Sequence, residues 1–328
     1  MKNKKKKILI TGSSGFIGNC LKNFLDKKYE LYLIDKKKLK KNEKNFILLN
    51  LTNSKKLLKI INIIRPDIII HLAAQSNLEE IKKKNKYIQN NIIATNNVLQ
   101  AMKLYNISNI IFSSSANIYS DTKKKVTEKS NINPKNIYSQ TKVSCEKNII
   151  DKSKPFKFNY IIFRFFNVCS ALKRPYCGSL HFPETSFIPI IVNKFLKNKT
   201  IKLYSRGIKD SPTRDYIHIF DLCNAISKGI NYILTKKRSN IFNIGSNKSI
   251  SSFDLINFFN KKFENNKLKF KFTKTHKDEI KKSECSNIKI KRSLSWNPQK
   301  SKLKIIFKDE LDWQKYCINK KIFRKFVY

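Results

Sequence analysis

Tyr138-Ser139-Gln140-Thr141-Lys142 is the stretch of this chain whose residue types and spacing point most directly to chemistry. Tyr138 and Lys142 stand four positions apart, so on a helix they share one face. A tyrosine phenol ordinarily ionises near pH 10 and is a poor base at neutral pH. A lysine ammonium and, in a hydride-transferring site, an oxidised nicotinamide nearby favour the phenolate, and each unit of depression is worth about 1.4 kcal/mol. Such a phenolate suits proton removal from a sugar hydroxyl. An ordinary surface helix can carry the same pair. Ser115, 23 residues before Tyr138, tilts the balance, because its hydroxyl can hold the same reacting oxygen. The run Ser113-Ser114-Ser115 could instead cap the segment that follows.

A second pattern lies in Lys7-Ile8-Leu9-Ile10-Thr11-Gly12-Ser13-Ser14-Gly15-Phe16-Ile17-Gly18. It reads as a buried strand, a glycine turn and the first turn of a helix. A helix N-terminus presents N–H groups and a partial positive charge, which suits a phosphate. Glycines at 12, 15 and 18 let the backbone turn sharply and let phosphate oxygens approach. A glycine triplet can also be only a tight turn. Asp35 lies 17 residues after Gly18, at the end of the next apolar run. A carboxylate there can accept from the ribose hydroxyls of an adenine dinucleotide and repels a 2′-phosphate, which favours NAD over NADP. Lys36 and Lys37 follow it and leave NADP open.

These residues need a scaffold that brings strand ends together. Apolar runs at 8–10, 31–34, 46–49, 67–72, 109–112 and 160–166 alternate with helical patterns at 16–28, 53–64, 86–105 and 136–151. Continuous apolar strands between helices predict a Rossmann-type, doubly wound parallel sheet of the α/β class. Ligands in such sheets sit at the carboxyl ends of the strands. The glycine turn, Asp35, Ala73-Ala74-Gln75 and Ser113–Ser115 all follow strand ends, so they should share one crevice. Residues 1–166 are expected to form the dinucleotide-binding domain. Residues 167–328 read as a smaller mixed α/β lobe for substrate, with some segments returning to the main sheet.

Composition bounds the alternatives. The formal net charge is +46, which would suit a polyanion binder. The lysines, however, are spread along the chain in short runs, and only 7 glycines and 2 tryptophans accompany the excess of Lys, Asn and Ile. This fits an AT-rich coding bias, and no specific nucleic-acid partner is expected. Seven cysteines form no C-x-x-C pair, as in a reduced cytoplasmic protein. Four widely separated histidines give no metal site. No apolar segment approaches the ~18–20 residues of a membrane span.

Taken in order, the motifs resemble the extended short-chain dehydrogenases that epimerise or dehydrate nucleotide-sugars. The matching pieces span nearly the full length: Thr11–Gly18, His71-Leu72-Ala73-Ala74-Gln75, Phe112–Tyr119, Tyr138 with Lys142, and Arg164-Phe165-Phe166-Asn167. Pro183–Pro189, Arg214-Asp215-Tyr216-Ile217-His218, Asn243-Ile244-Gly245 and Leu294–Pro298 complete them. The resemblance implies an NAD-dependent enzyme of the 4-epimerase branch, the UDP-glucose/UDP-galactose type. Hydride would leave C4 for the cofactor and return to the opposite face. Tyr138 would be the base, Ser115 would hold the reacting oxygen, and Lys142 would bind the nicotinamide ribose. Gly12, Gly15, Phe16, Ile17, Gly18, Asp35, Asn50, Leu51, Ala73, Ala74 and Gln75 would line the cofactor. Asn167, Arg214 and His276 would bind the substrate, with a UDP-sugar expected, and a homodimer is implied through helices 86–105 and 136–151. Dehydratases of this kind place acids directly after the catalytic hydroxyl residue; this chain has Ala116 and Asn117. A dehydratase or reductase of the same superfamily is the alternative. Two departures stand out: Asn50 replaces a usual Asp, and His276 stands where such epimerases carry a second diphosphate-binding Arg.

Overall fold

The structure is a computed structural model and describes residues 5–37, 43–76, 84–173, 176–180, 186–263, 267–273 and 280–322. Its main sheet is built from Lys7–Thr11 (β1), Glu30–Asp35 (β2), Phe46–Leu48 (β3), Ile68–His71 (β4), Asn109–Ser115 (β5), Asn159–Phe165 (β6) and the later strand Asn240–Ile244. Ile8, Leu9, Ile10, Ile68, Ile69 and Ile70 have no exposed surface. Strands covered on both faces need such unbroken apolar runs. The order across the sheet is Asn240–Ile244, β6, β5, β4, β1, β2, β3. β3, β2, β1, β4 and β5 pair in parallel, so their carboxyl ends meet one rim. The register sets Thr11 between Ile34 and His71, and His71 beside Phe112. This is the doubly wound Rossmann-type α/β fold.

Two sequence expectations are corrected here. β5 does not stop at Phe112 but runs through all three serines. The first of the three hydroxyls is satisfied across the sheet: Ser113 Oγ donates to the His71 carbonyl at 3.2 Å. The helix expected over 86–105 is an α-turn Lys84–Tyr87, a π-helical stretch Ile88–Ile93, and an α-helix Ala94–Leu104. The wider π turn carries Asn91 into the interior, where it is 2 % exposed.

The chain divides into two compact units, and the division is not a single cut. The first comprises Met1–Ile118, Ile132–Arg164 and Ala225–Phe242. The second comprises Tyr119–Asn131, Phe165–Asn224 and Asn243–Tyr328. In the second unit the strand Thr213–His218 is central. It pairs with Asn167–Cys169 and Lys282–Ser283 in parallel and with Ser249–Ser251 antiparallel. A separate core of Ile188, Ile191, Leu255, Phe259 and Phe307 supports it. Among the described residues no helix is long and apolar enough to cross a membrane.

Candidate active site

The glycine turn is built by exclusion. Gly12 has φ +71°, and a β-carbon there would stand 2.6 Å from the Ala73 amide nitrogen. At Gly18 it would stand 2.2 Å from the Gly12 carbonyl oxygen. Both positions therefore need glycine. Gly15 is the N-cap of the helix Phe16–Leu25 and places no side chain over its first turn, the end that Phe16 and Ile17 begin. Asp35 is tied to this turn, accepting from the Ser14 amide at 3.0 Å and from the Lys37 amide at 3.0 Å. Asn50 is exposed and turns on its own Thr52 amide, while Leu51 is buried and its carbonyl accepts from Asn97 Nδ2 at 2.9 Å.

Beneath the rim lies a buried polar relay that the sequence reading did not single out. His71 Nδ1 meets Thr11 Oγ1 at 2.7 Å, and Nε2 meets Thr95 Oγ1 at 3.0 Å. Thr95 gives its own proton to the Asn91 carbonyl at 2.6 Å, so it accepts from Nε2–H, and Nδ1 accepts from Thr11. His71 is thus a neutral clamp joining two strand ends to a helix. Burial, with the nearby Lys142 charge, pushes it down to about 3. Unfolded, a histidine takes its proton near pH 6.5, so folded protein loses about 1.4 kcal/mol per unit as the pH falls from 6.5 toward 3. From pH 7 to 5 the loss from His71 is about 2 kcal/mol. Asp215, raised to about 6, works in the opposite sense over part of this range. The comparison is therefore urea unfolding of wild type and His71→Gln at both pH values. Equal pH dependences would refute the clamp's contribution.

Asn91 is the other missed residue. Its Oδ1 accepts from the Gln75 amide at 2.7 Å, while Nδ2 donates to the Gln75 carbonyl at 3.2 Å and to Thr141 Oγ1 at 2.8 Å. Thr141 in turn donates to the Tyr138 carbonyl at 2.7 Å. One buried amide thereby holds the Ala73-Ala74-Gln75 segment in register with the helix Ile137–Ser153 that carries Tyr138 and Lys142. The available signal was a polar residue inside an apolar helical pattern, but only the π turn makes it face inward.

The helix Ile137–Ser153 starts cleanly because Asn136 and Ser139 form a reciprocal capping box. Lys142 is 2 % exposed, donates to the Ser113 carbonyl at 2.6 Å, and lies 5.8 Å from the centre of the Tyr138 ring. Burial lowers it to about 8. Ser115 accepts from the Asn117 amide at 3.2 Å, and its hydroxyl stands near enough to the Tyr138 phenol to favour the ionised form. In the protein alone, burial pushes that phenol up to about 12, while Ser115 pulls it down. The expected phenolate is therefore not favoured by the protein alone; further positive charge at the site is required. Ser115, Tyr138 and Lys142 all lie within the first unit, together with the glycine turn and Asp35.

In the second unit Asn167 and Arg214 lie on the paired strands Asn167–Cys169 and Thr213–His218. Asn167 Nδ2 donates to the Asp215 carbonyl at 3.1 Å, and Arg214 Nη1 donates to the Thr213 carbonyl at 3.0 Å. The buried Asp215 carboxylate accepts from the Ser246, Asn247 and Cys285 amides at 2.7, 3.0 and 3.1 Å. His276 and the segment 181–185 lie outside the described residues.

A Rossmann sheet with a glycine turn, a strand-end aspartate and a Ser–Tyr–Lys set defines a dinucleotide-dependent enzyme of the short-chain dehydrogenase class. The chain belongs to the NAD dependent epimerase/dehydratase family, whose model matches residues 8–245. It is 29% identical over 323 residues to a UDP-glucose 4-epimerase of Mycoplasma genitalium, covering 90% of this chain and 87% of the relative. It is 31% identical over 278 residues to a dTDP-D-glucose 4,6-dehydratase of Dictyostelium discoideum, covering 76% and 60%. In fold it is similar to the UDP-glucose-4-epimerase of Stenotrophomonas maltophila, solved with NAD and formylated UDP-arabinopyranose. The TM-score is 0.88 at 20% identity, covering 96% of this chain and 99% of the other. NAD is the cofactor of this family, and the cradle fits it. Gly12 and Gly18 let the turn close tightly on its own backbone and on Ala73, Gly15 puts no side chain over the helix N-terminus, and Asp35 stands at the next strand end.

Proposed function

We propose that this chain is an NAD-dependent nucleotide-sugar 4-epimerase acting on UDP-glucose and UDP-galactose. The observation that carries it is Ser115 beside Tyr138 in the first unit, with Lys142 one turn along the same helix, buried on the Ser113 carbonyl, and no acid at 116 or 117. NAD, when bound, supplies reversible hydride acceptance and a cationic ring. The backbone of Gly12–Gly18 would hold its pyrophosphate, Asp35 its adenosine ribose, Asn50 and Leu51 the adenine end, and Ala73, Ala74 and Gln75 its path across the sheet. Lys142 would bind the nicotinamide ribose. Tyr138 would take the proton of the 4-hydroxyl and give it back after the sugar turns over, with Ser115 fixing that oxygen. Asn167 and Arg214 would hold the diphosphate end of the substrate, a bidentate task suited to arginine. His276 would be a further substrate contact.

Elimination of water would require a second acid–base group near C5 and C6, and Ala116 and Asn117 offer none. The Dictyostelium relative keeps dehydration as the second reading. A homodimer through the helices Ala94–Leu104 and Ile137–Ser153 is supported by Leu104 and Ile150, which are 61 % and 37 % exposed. The seven buried free thiols suit a cytoplasmic setting. The test is to purify the protein, identify any bound dinucleotide, and follow UDP-, GDP- and dTDP-sugars by proton NMR. C4 inversion of UDP-glucose without net NADH is the expected result. A 4-keto-6-deoxy product, or stoichiometric cofactor consumption, would overturn the assignment.

A further inference from the structure

Three charged side chains lie buried together where the catalytic helix meets β6. Lys142 is 2 % exposed, Glu146 4 % and Arg164 3 %. Lys142 Nζ touches a carbonyl, that of Ser113, and the face of Phe112, 4.8 Å from the ring centre. Neither partner carries a formal negative charge. Glu146 follows Lys142 by four positions, so one turn along the same face sets their β-carbons about 6 Å apart. Its carboxylate is fixed, because Arg164 reaches across from β6 with Nε 3.0 Å from Oε1 and Nη2 2.6 Å from Oε2. A buried ion pair of this kind seldom repays its desolvation in stability, so stability alone is a poor reason for it to be here.

We propose that the Glu146–Arg164 pair is the electrostatic partner of Lys142, with Glu146 a positioning residue that acts on the reaction through the lysine. This rests on Lys142 serving Tyr138 and the nicotinamide ribose, as proposed above. The titratable groups that face Lys142 are Tyr138, Cys145 and Glu146 on its own helix and His71 on β4. Burial raises the phenol and the thiol, and His71 is held neutral, so none of these three supplies a negative charge. Glu146 is the group that does. Arg164 holds that carboxylate in place through its two bonds. The pair then holds the ammonium charged in a site where burial works against it.

The test reads Lys142 directly in the protein without sugar or cofactor. Lysines labelled with carbon-13 at the ε position are titrated by NMR, and the Lys142 signal is identified by its loss in Lys142→Met. Wild type should turn over near its lowered value of about 8. Glu146→Gln should lower the midpoint by a further unit or so, about what one lost opposite charge removes. Glu146→Asp, which keeps the charge, should restore it. The alkaline limb of turnover should move to lower pH with the same variant. If Glu146→Gln leaves the midpoint unchanged and only lowers Tm, the pair is a structural staple and the proposal fails. Should Glu146→Gln not fold, Arg164→Gln, which leaves the Glu146 charge facing Lys142 without its counter-charge, should raise the midpoint. An unchanged midpoint there overturns the proposal equally. Absence of epimerisation by wild type would count against the proposed function alone, since the titration needs no substrate.

Discussion

Tyr138→Phe is expected to reduce epimerisation by on the order of 10²–10⁴-fold, the range a positioned acid–base group supplies. That corresponds to roughly 3–5 kcal/mol of barrier. The hydroxyl removed lies on a half-buried ring, so the variant should fold and keep its NAD affinity within a few-fold. The size of the effect follows from how the phenol is held. In the protein alone burial outweighs the pull of Ser115 and leaves it up at about 12, an idle acid at neutral pH. The ammonium of Lys142 and the cationic ring of NAD both favour the phenolate. The base therefore exists chiefly in the loaded enzyme, and the acid limb of the pH profile should report its ionisation there. Stopped assays of C4 inversion, beside NAD titration by fluorescence, check the prediction. Retained turnover in Tyr138→Phe would remove Tyr138 from the chemistry.

Gly18→Ala should be equally severe by a different route. The new β-carbon would meet the Gly12 carbonyl oxygen at 2.2 Å, a backbone atom that cannot rotate away. Overpacking of this kind costs about 1–3 kcal/mol, and relief requires the turn itself to open. NAD affinity is expected to fall by 100-fold or more, about 3 kcal/mol, with a lowered Tm. Gly15→Ala is the internal comparison. Its β-carbon would meet only the Gly12 carbonyl at 3.3 Å, a contact a few tenths of an ångström can relieve. That variant should fold like wild type and show its loss in NAD affinity alone. Equal Tm values for Gly18→Ala and wild type would mean the turn is looser than its geometry states.

The sheet was legible because its strands are continuous apolar runs, and a run such as Ile68-Ile69-Ile70 has few other uses. Tyr138 and Lys142 were legible from spacing, since four residues on a helix fix a shared face. The polar support was not. Asn91 faces inward only because the helix widens to a π turn at Ile88–Ile93, and no period of 3.6 reveals that. His71 looks like the last residue of a strand until Thr11 and Thr95 close on both its nitrogens. The serines of β5 read as a strand terminator because hydroxyls are rare in buried strands; the acceptor of Ser113 comes from β4, far off in sequence.

The strand Asn240–Ile244 sits at the edge of the main sheet beside β6, and residues 225–242 belong to the first unit. During synthesis, the ribosome therefore releases the dinucleotide-binding half unfinished. When Phe165 emerges, β6 has one neighbour and one bare edge, and some 75 more residues must be made before the strand that covers it arrives. A bare edge of unpaired amides and carbonyls invites pairing with another chain. A chain stopped at residue 166, where the alternating strand-and-helix pattern of the sequence ends, would keep that edge for good, whereas the full chain has it open only for the time taken to translate the difference.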